Sequence, residues 1–279
     1  MKKEFLKILA FTVLFTFGIG VSAYAFTTGY SSFAELLAAE EETDYTIKTG
    51  NIGSDTTILA LHGGGIERGT SELVEALGGY GKYNTYLFEG LKATNNGSLF
   101  LKAVNFDEPT AVDLVQNSDY TLSVIGATGE GEVTYIGGQN RLLAELLKLQ
   151  LMNKGYHVKT LSLPDRIAGV MNSNIANKNK LFKGSYRLGG VQIAISKGLR
   201  DKFIADPAIL NDYADSVHET LSEDWPILVS YLDKFIKNNK SLNNLEPAKK
   251  NFAKKVDKIL EKGAKTPEDL LENIENTQE

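Results

Sequence analysis

Along the first 206 residues, apolar positions recur with the two-residue period of strands in some segments and with the 3.6-residue period of helices in others. Short runs rich in strand-forming residues predict buried strands at 57–61, 85–88, 99–104, 120–125, 133–136, 158–161 and 191–195. Helical patterns lie between them, at 71–77 and 140–153. Strands that alternate with helices predict an α/β sheet covered by helices on both faces.

The pattern changes near residue 207, after which the chain is helical in period and no strand signal recurs. One apolar stripe runs along this part, with members three or four positions apart: Trp225, Leu228, Tyr231 and Phe235. The stripe favours packing of a C-terminal helical extension, residues 207–279, against the main domain. A helical module that binds a protein partner is the alternative.

The N-terminus has the features of a secretory signal peptide at 1–25. Lysines form a positive start, an apolar run follows, and small residues lead up to Ala25. We expect cleavage after Ala25 and a secreted protein. The alternative is an uncleaved membrane anchor, although the apolar run is shorter than the roughly 20 residues of a spanning helix. A polar lead-in segment at 26–55 then precedes an α/β domain at 56–206.

The composition excludes several kinds of site. The 279 residues include no cysteine and three histidines, so disulfides, thiolate metal sites, Fe–S clusters and cysteine nucleophiles are ruled out. Any transition-metal site needs histidine and carboxylate ligands. The formal net charge of -5, without a stripe of lysine and arginine, argues against nucleic acid as a partner.

The segment LHGGGIERGT carries the strongest chemical signal. His62 ends a predicted strand, three glycines follow, and Glu67 comes next but one. Open α/β sheets bind ligands at the carboxyl edge, and glycines allow the loop to fold back, so imidazole and carboxylate can converge there. Histidine and glutamate are two of the three protein ligands in His₂Glu zinc sites. A glycine-rich turn that follows a histidine by chance is the alternative.

Four motifs in register resemble the phage-type poly-γ-glutamate hydrolase family. They are HGGGIERGT, NFDEP, YIGGQN and GGVQIAISKGLR, which begin at residues 62, 105, 135 and 189. The resemblance implies a mixed sheet flanked by helices, similar to zinc carboxypeptidases. It also implies zinc-dependent cleavage of γ-glutamyl amide bonds, with His62 and Glu67 as metal ligands.

The chain departs from this family at positions that carry the reaction. Ile125 stands where the family has its second zinc-binding histidine, and Ala194 where it has the glutamate that acts as general base. Hydrocarbon side chains can neither bind a metal nor accept a proton. The resemblance implies substrate-binding roles for Asn177, Lys178 and Arg200, with lysine replacing the arginine of the family.

Further departures concern the walls of the site and the remaining histidines. Phe100, Lys102 and Ala103 occupy places that are polar in the family. His157 is expected at the start of a strand, and therefore at the opposite edge of the sheet. His218 is expected on an exposed helix face. Neither is a good replacement for the lost ligand.

Zinc is therefore the implied cofactor, but the residues present give it an incomplete site. Our leading hypothesis is a secreted, catalytically inactive or weak protein that binds γ-glutamyl polymer, peptide or cell-wall material. One alternative is an active γ-glutamyl hydrolase with rearranged ligands, in which Glu67 or Glu130 takes over the base role. The other is an exported interaction protein that acts through its helical extension.

Overall fold

The computed structural model describes residues 29–180, 188–238 and 245–277. The predicted signal peptide at 1–25 lies outside these ranges. Among the residues described, no helix combines the length and the apolar character needed to cross a bilayer.

Seven strands form one mixed sheet in the order β1-β3-β2-β4-β7-β5-β6. The strands are β1 Tyr45–Gly50, β2 Thr56–Gly64, β3 Asn84–Gly90, β4 Tyr120–Ala127, β5 Val133–Gly138, β6 His157–Lys159 and β7 Val191–Ser196. β2, β3, β4 and β7 are parallel to one another, β1 and β5 run antiparallel to β3 and β7, and β6 is parallel to β5. The predicted mixed sheet is confirmed.

Helices cover both faces of the sheet. Up to the second gap in the described residues they are α1 Phe33–Ala39, α2 Thr70–Gly78, α3 Pro109–Gln116, α4 Arg141–Asn153, α5 Asp165–Ala168, α6 Lys197–Ala205, α7 Pro207–Glu219 and α8 Trp225–Asn238. α9 Leu245–Glu261 and α10 Pro267–Glu275 follow. A π-helical turn, Thr220–Asp224, joins α7 to α8. The C-terminal extension is helical, as predicted.

Two apolar cores lie on opposite faces of the sheet. Val191, Ile193 and Ile195 of β7 point into the first core, whereas Ala194 points into the second, as the two-residue period of a strand requires. The first core is closed mainly by α2, α4 and the helices from α6 onwards, and the second by α1 and α3.

The apolar stripe of the extension packs against the main domain, as predicted. Trp225 is buried and meets Tyr120 of β4 edge to face, with ring centroids 5.4 Å apart. Phe235 contacts Phe252 of α9 in the same core. The extension therefore shares the hydrophobic core of the α/β domain.

The strand predicted at 99–104 is wrong. A 3₁₀ turn at Asn96–Leu99 precedes a segment that makes one isolated bridge, between Leu101 and Tyr30. Leu99, Leu101 and Ala103 are all buried, because the segment crosses the second core with one side inward. Alternating burial produces the strand-like pattern without a neighbouring strand to pair with.

Part of the predicted lead-in segment belongs to the sheet. β1 lies within 26–55 and pairs with β3 along its whole length, from Tyr45 opposite Gly90 to Gly50 opposite Thr85. As an edge strand it has half-buried and exposed side chains. The apolar period that reveals a strand comes from burial, so the sheet begins earlier than the pattern indicated.

Candidate functional site

The loop after β2 brings His62 and Glu67 together at the carboxyl edge of the sheet. The Glu67 backbone N–H donates to the His62 carbonyl oxygen at 2.7 Å, which closes a tight turn. Gly64 has a φ of 57°, and a Cβ at this position would lie 2.6 Å from the Gly90 carbonyl oxygen. The turn therefore requires glycine.

Both ring nitrogens of His62 have acceptors. Nδ1 lies 2.9 Å from Glu67 Oε2, and Nε2 lies 2.8 Å from the Leu101 carbonyl oxygen. A carbonyl and a carboxylate can only accept, so both contacts of the ring are with acceptors. A metal at either nitrogen would have to displace one of these two contacts.

Glu67 accepts from three donors. Besides His62, the Gly126 backbone N–H donates to Oε2 at 2.5 Å, and Arg166 Nη2 donates to Oε1 at 2.8 Å. Burial raises the pKa of Glu67, but His62, Arg166 and Gly126 together outweigh it, and the net pKa is lowered. A Cβ on Gly126 would lie 2.8 Å from Glu67 Cδ, so this glycine makes room for the carboxylate.

Arg166 is a site residue that the sequence analysis missed. It lies on the short helix α5, and Nη2 also donates to the Gly126 carbonyl oxygen at 2.7 Å. Its guanidinium carbon is 5.3 Å from the ring centroid of Phe100, and that ring lies 4.2 Å from the His62 ring. A single arginine on a four-residue helix has no local sequence signal. The one available clue is that a buried carboxylate such as Glu67 needs a positive partner.

Ile125 and Ala194 lie side by side in the sheet. They are register partners across β4 and β7, and both are buried in the second core. Both positions therefore carry hydrocarbon, and Ile125 lines the same cavity as His62.

The three predicted substrate-binding residues do not converge. Asn177 is buried, and its amide nitrogen donates to the carbonyl oxygens of Gly169 and Met171. Lys178 is half-buried at the end of a 3₁₀ turn. Only Arg200 lines a cavity beside His62 and Glu67.

The Arg200 guanidinium hydrogen-bonds to two backbone carbonyl oxygens. Nε donates to the Ile195 carbonyl oxygen at 3.1 Å and Nη1 to that of Arg68. Burial lowers the pKa of Arg200 below its ordinary value. Asn177 and Arg200 thus hold the loops of the site in place.

Two joined cavities flank the His62–Glu67 pair. The inner cavity, of about 240 Å³, is lined by His62, Phe100, Lys102, Ala103, Val104, Ile125, Asp165, Arg166, Gly169, Met171 and Asn174. The outer cleft, of about 560 Å³, includes Glu67, Ser98, Thr128, Glu130, Lys197 and Arg200. Phe100 and Arg166 belong to both, so one guanidinium faces the two spaces.

The site does not fit zinc. Across residues 29–180, 188–238 and 245–277, no three histidine, aspartate or glutamate side chains are grouped as a metal site needs. Both ring nitrogens of His62 have hydrogen-bond partners in the protein, and Glu67 is paired with the Arg166 guanidinium. The neighbouring residue Ile125 offers no ligand atom.

The other two histidines lie elsewhere. The expected position of His157 at the opposite edge is wrong: β5 is antiparallel to β7, so β6 starts at the edge where β7 ends. His157 is nevertheless four strands from β2, about 19 Å at the usual strand spacing. His218, expected to be exposed, stacks on Tyr80 with centroids 3.8 Å apart and lies 2.7 Å from the Tyr83 hydroxyl.

Comparisons with known proteins agree with this fold. A family model described as Poly-gamma-glutamate hydrolase matches residues 30–222. UPF0714 protein YndL of Bacillus subtilis (strain 168) is 35% identical over 195 residues, which are 70% of this chain and 74% of YndL. Helices α8–α10 lie beyond the family match.

Two solved structures are similar over the same part of the chain. One, described as YNDL-apo (Zinc-free), has 32% identity and a TM-score of 0.63, covering 70% of this chain and 98% of its own. The other, a bacteriophage poly-gamma-glutamate hydrolase, has 27% identity and a TM-score of 0.64, covering 71% and 98%.

Proposed function

This chain belongs to the poly-γ-glutamate hydrolase family, and we propose that it is a secreted, non-catalytic member that binds γ-glutamyl polymer or peptide without zinc. The observation that carries this proposal is that protein groups already occupy both candidate ligands: the two ring nitrogens of His62 lie against protein oxygens, and Glu67 is held by Arg166 and the Gly126 N–H. A metal would have to displace these contacts.

The described residues beside His62 support a non-catalytic role, because the candidate bases among them are either replaced or engaged. Ala194 stands at the base position, and loss of a positioned general base alone costs about 10²–10⁴ in rate. Both oxygens of Glu67 already accept hydrogen bonds, so this carboxylate is not a replacement. The Glu130 side chain is 79% exposed to solvent and forms an ion pair with Lys197. The rearranged-enzyme alternative is therefore not favoured.

Binding of carboxylates is supported by the cations at the cavities. Arg166 uses only Nη2 in its contacts with Glu67 and Gly126, which leaves donors for a ligand. A guanidinium suits the planar carboxylates of a γ-glutamyl chain. Because the protein has a net charge of -5, affinity for a polyanion has to come from these local cations.

Calorimetric titration with poly-γ-glutamate at low ionic strength tests the proposal. We expect Arg166→Gln to weaken binding at least about tenfold, since charge-assisted hydrogen bonds contribute about 1.5–3 kcal/mol. Lys237→Gln is the matched control, because it removes one positive charge from an exposed position on α8, far from the cavities.

Metal content and polymer length are measured on the same preparation. We expect zinc well below one equivalent after dialysis and an unchanged size distribution of the polymer on gel filtration. One tightly held zinc per chain, together with chelator-sensitive shortening of the polymer, would contradict the proposal.

Export has a separate test. We propose that the signal at 1–25 directs secretion, with cleavage after Ala25. N-terminal sequencing of protein from the culture medium should then start at Phe26. A mature protein that retains Met1 in the cell pellet would contradict this.

A further inference from the structure

We propose that the inner cavity binds an apolar group joined to a carboxylate, such as a fatty acyl chain or an apolar amino acid at a peptide C-terminus. This inference rests on the proposed function in one respect, since the same Arg166 holds the carboxylate. It goes further by assigning the class of ligand that the cavity selects.

The buried polar groups in the cavity wall already have partners. Both ring nitrogens of His62 lie within hydrogen-bond distance of protein oxygens. Asn174 is buried, donates to Gln192 Oε1 at 2.8 Å and accepts from the Ala176 backbone N–H at 3.0 Å. A polar group deep in the cavity, away from the charged residues of its lining, would therefore lose its hydration without gaining new partners.

Apart from the charged residues Lys102, Asp165 and Arg166, the rest of the wall is apolar. Ile125 and Ala103 are buried at the floor, and Phe100 and Val104 complete the sides. Met171, 54% exposed, lies at the mouth, where its flexible side chain can adapt to a ligand. A cavity of about 240 Å³ is slightly smaller than the roughly 300–1,000 Å³ of ordinary small-ligand sites. It suits one acyl chain or one apolar side chain.

The charged residues at the cavity mouth favour a carboxylate at the polar end of the ligand. Lys102, Asp165 and Arg166 are exposed residues of the cavity lining. Arg166 is paired with Glu67 through Nη2, but its other donors and the Lys102 ammonium can still contact a single carboxylate. Asp165 disfavours a second carboxylate nearby. A glutamate side chain inside the cavity would meet both this repulsion and the apolar wall.

Titration with straight-chain monocarboxylates from acetate to octanoate tests the inference, with glutarate as the dicarboxylate control. Affinity should rise about fourfold for each added methylene until the cavity is full, as the transfer of a CH₂ from water requires. Glutarate should bind more weakly than pentanoate. An affinity independent of chain length, or tighter binding of glutarate, would overturn the inference.

Two substitutions of an exposed apolar residue by glutamine, one at the cavity mouth and one outside the cavity, test whether the ligand binds in the inner cavity. Met171→Gln changes an exposed residue of the cavity mouth and should weaken octanoate several-fold while leaving acetate unchanged. Val170→Gln is the control, because Val170 is 56% exposed and lies outside the inner cavity. Equal effects of the two variants on octanoate would contradict the assigned site.

The outcomes separate this inference from the proposed function. If poly-γ-glutamate binds through Arg166 but the carboxylate series is flat, the inference fails and the proposed function stands. If octanoate binds through Met171 and Arg166 but the polymer does not, the inference stands and the proposed polymer binding fails.

Discussion

Replacing Glu67 with glutamine tests the charge arrangement beside His62. The change keeps the size of the side chain and removes its charge. The three partners around the carboxylate, His62, the Gly126 N–H and Arg166, then face a group with one oxygen and one NH₂.

The magnitude follows from burial. The His62 and Glu67 side chains are 2% and 11% exposed, and leaving a buried hydrogen-bonding group without its partner costs about 1–3 kcal/mol, more for a charged group. If the new NH₂ takes the place of Oε2, it opposes the Gly126 N–H. If it takes the place of Oε1, it opposes Arg166. We therefore expect a loss of about 2–3 kcal/mol. Arg166, 38% exposed, adds less than about 1 kcal/mol.

Urea unfolding at pH 7, followed by circular dichroism, measures the loss. Glu130→Gln is the matched control, because its carboxylate is 79% exposed in a surface pair and its loss should stay within about 0.5 kcal/mol. If Glu67→Gln were as mild as Glu130→Gln, the buried contacts of Glu67 would not exist as described.

The pH dependence gives a second measurement of the same pair. The folded-state pKa of Glu67 is lowered below its ordinary value of 4.5. The stability it contributes is therefore present above pH 4.5 and is lost as the pH falls through the folded-state pKa. Glu67→Gln should flatten this acid limb. An acid limb identical to that of the parent protein would show that another group causes it.

Three further predictions concern other parts of the molecule. Burial and nearby glutamates raise the pKa of Asp224 from 3.8 to about 7. The stability that this shift contributes is therefore fully present below pH 3.8 and is lost as the pH rises through 7. Asp224→Asn should stabilise the protein at pH 8, by at most about 4 kcal/mol, and have little effect at pH 3.5; equal effects at both would refute the assignment. The double variant Ile125→His, Ala194→Glu should raise zinc affinity in metal analysis, and a product as metal-free as the parent would show that these strands were wrongly matched to the family. Trp225→Ala should cost about 3–5 kcal/mol in thermal unfolding, whereas a helical module folded separately from the sheet would leave the main transition unchanged.

Local sequence patterns predict the elements whose buried face produces a hydrophobic period in the sequence. α4 was predicted at 140–153 and spans Arg141–Asn153, with Asn140 as its N-cap, because an apolar helix and its cap are both local signals. The same physical reason explains why the pattern misses β1 and wrongly predicts a strand at 99–104. Burial of one side of a segment produces the hydrophobic period, whereas pairing with a neighbouring strand depends on distant residues.

The sequence by itself determined the family. The motif around His62 is contiguous, and the identities of Ile125 and Ala194 are visible without any coordinates. Only the tertiary structure decided which groups surround His62 and Glu67. The Leu101 carbonyl oxygen and the Arg166 guanidinium come to His62 and Glu67 from distant segments. Charge compensation at a buried site depends on which segments become neighbours, and that is a property of the folded chain.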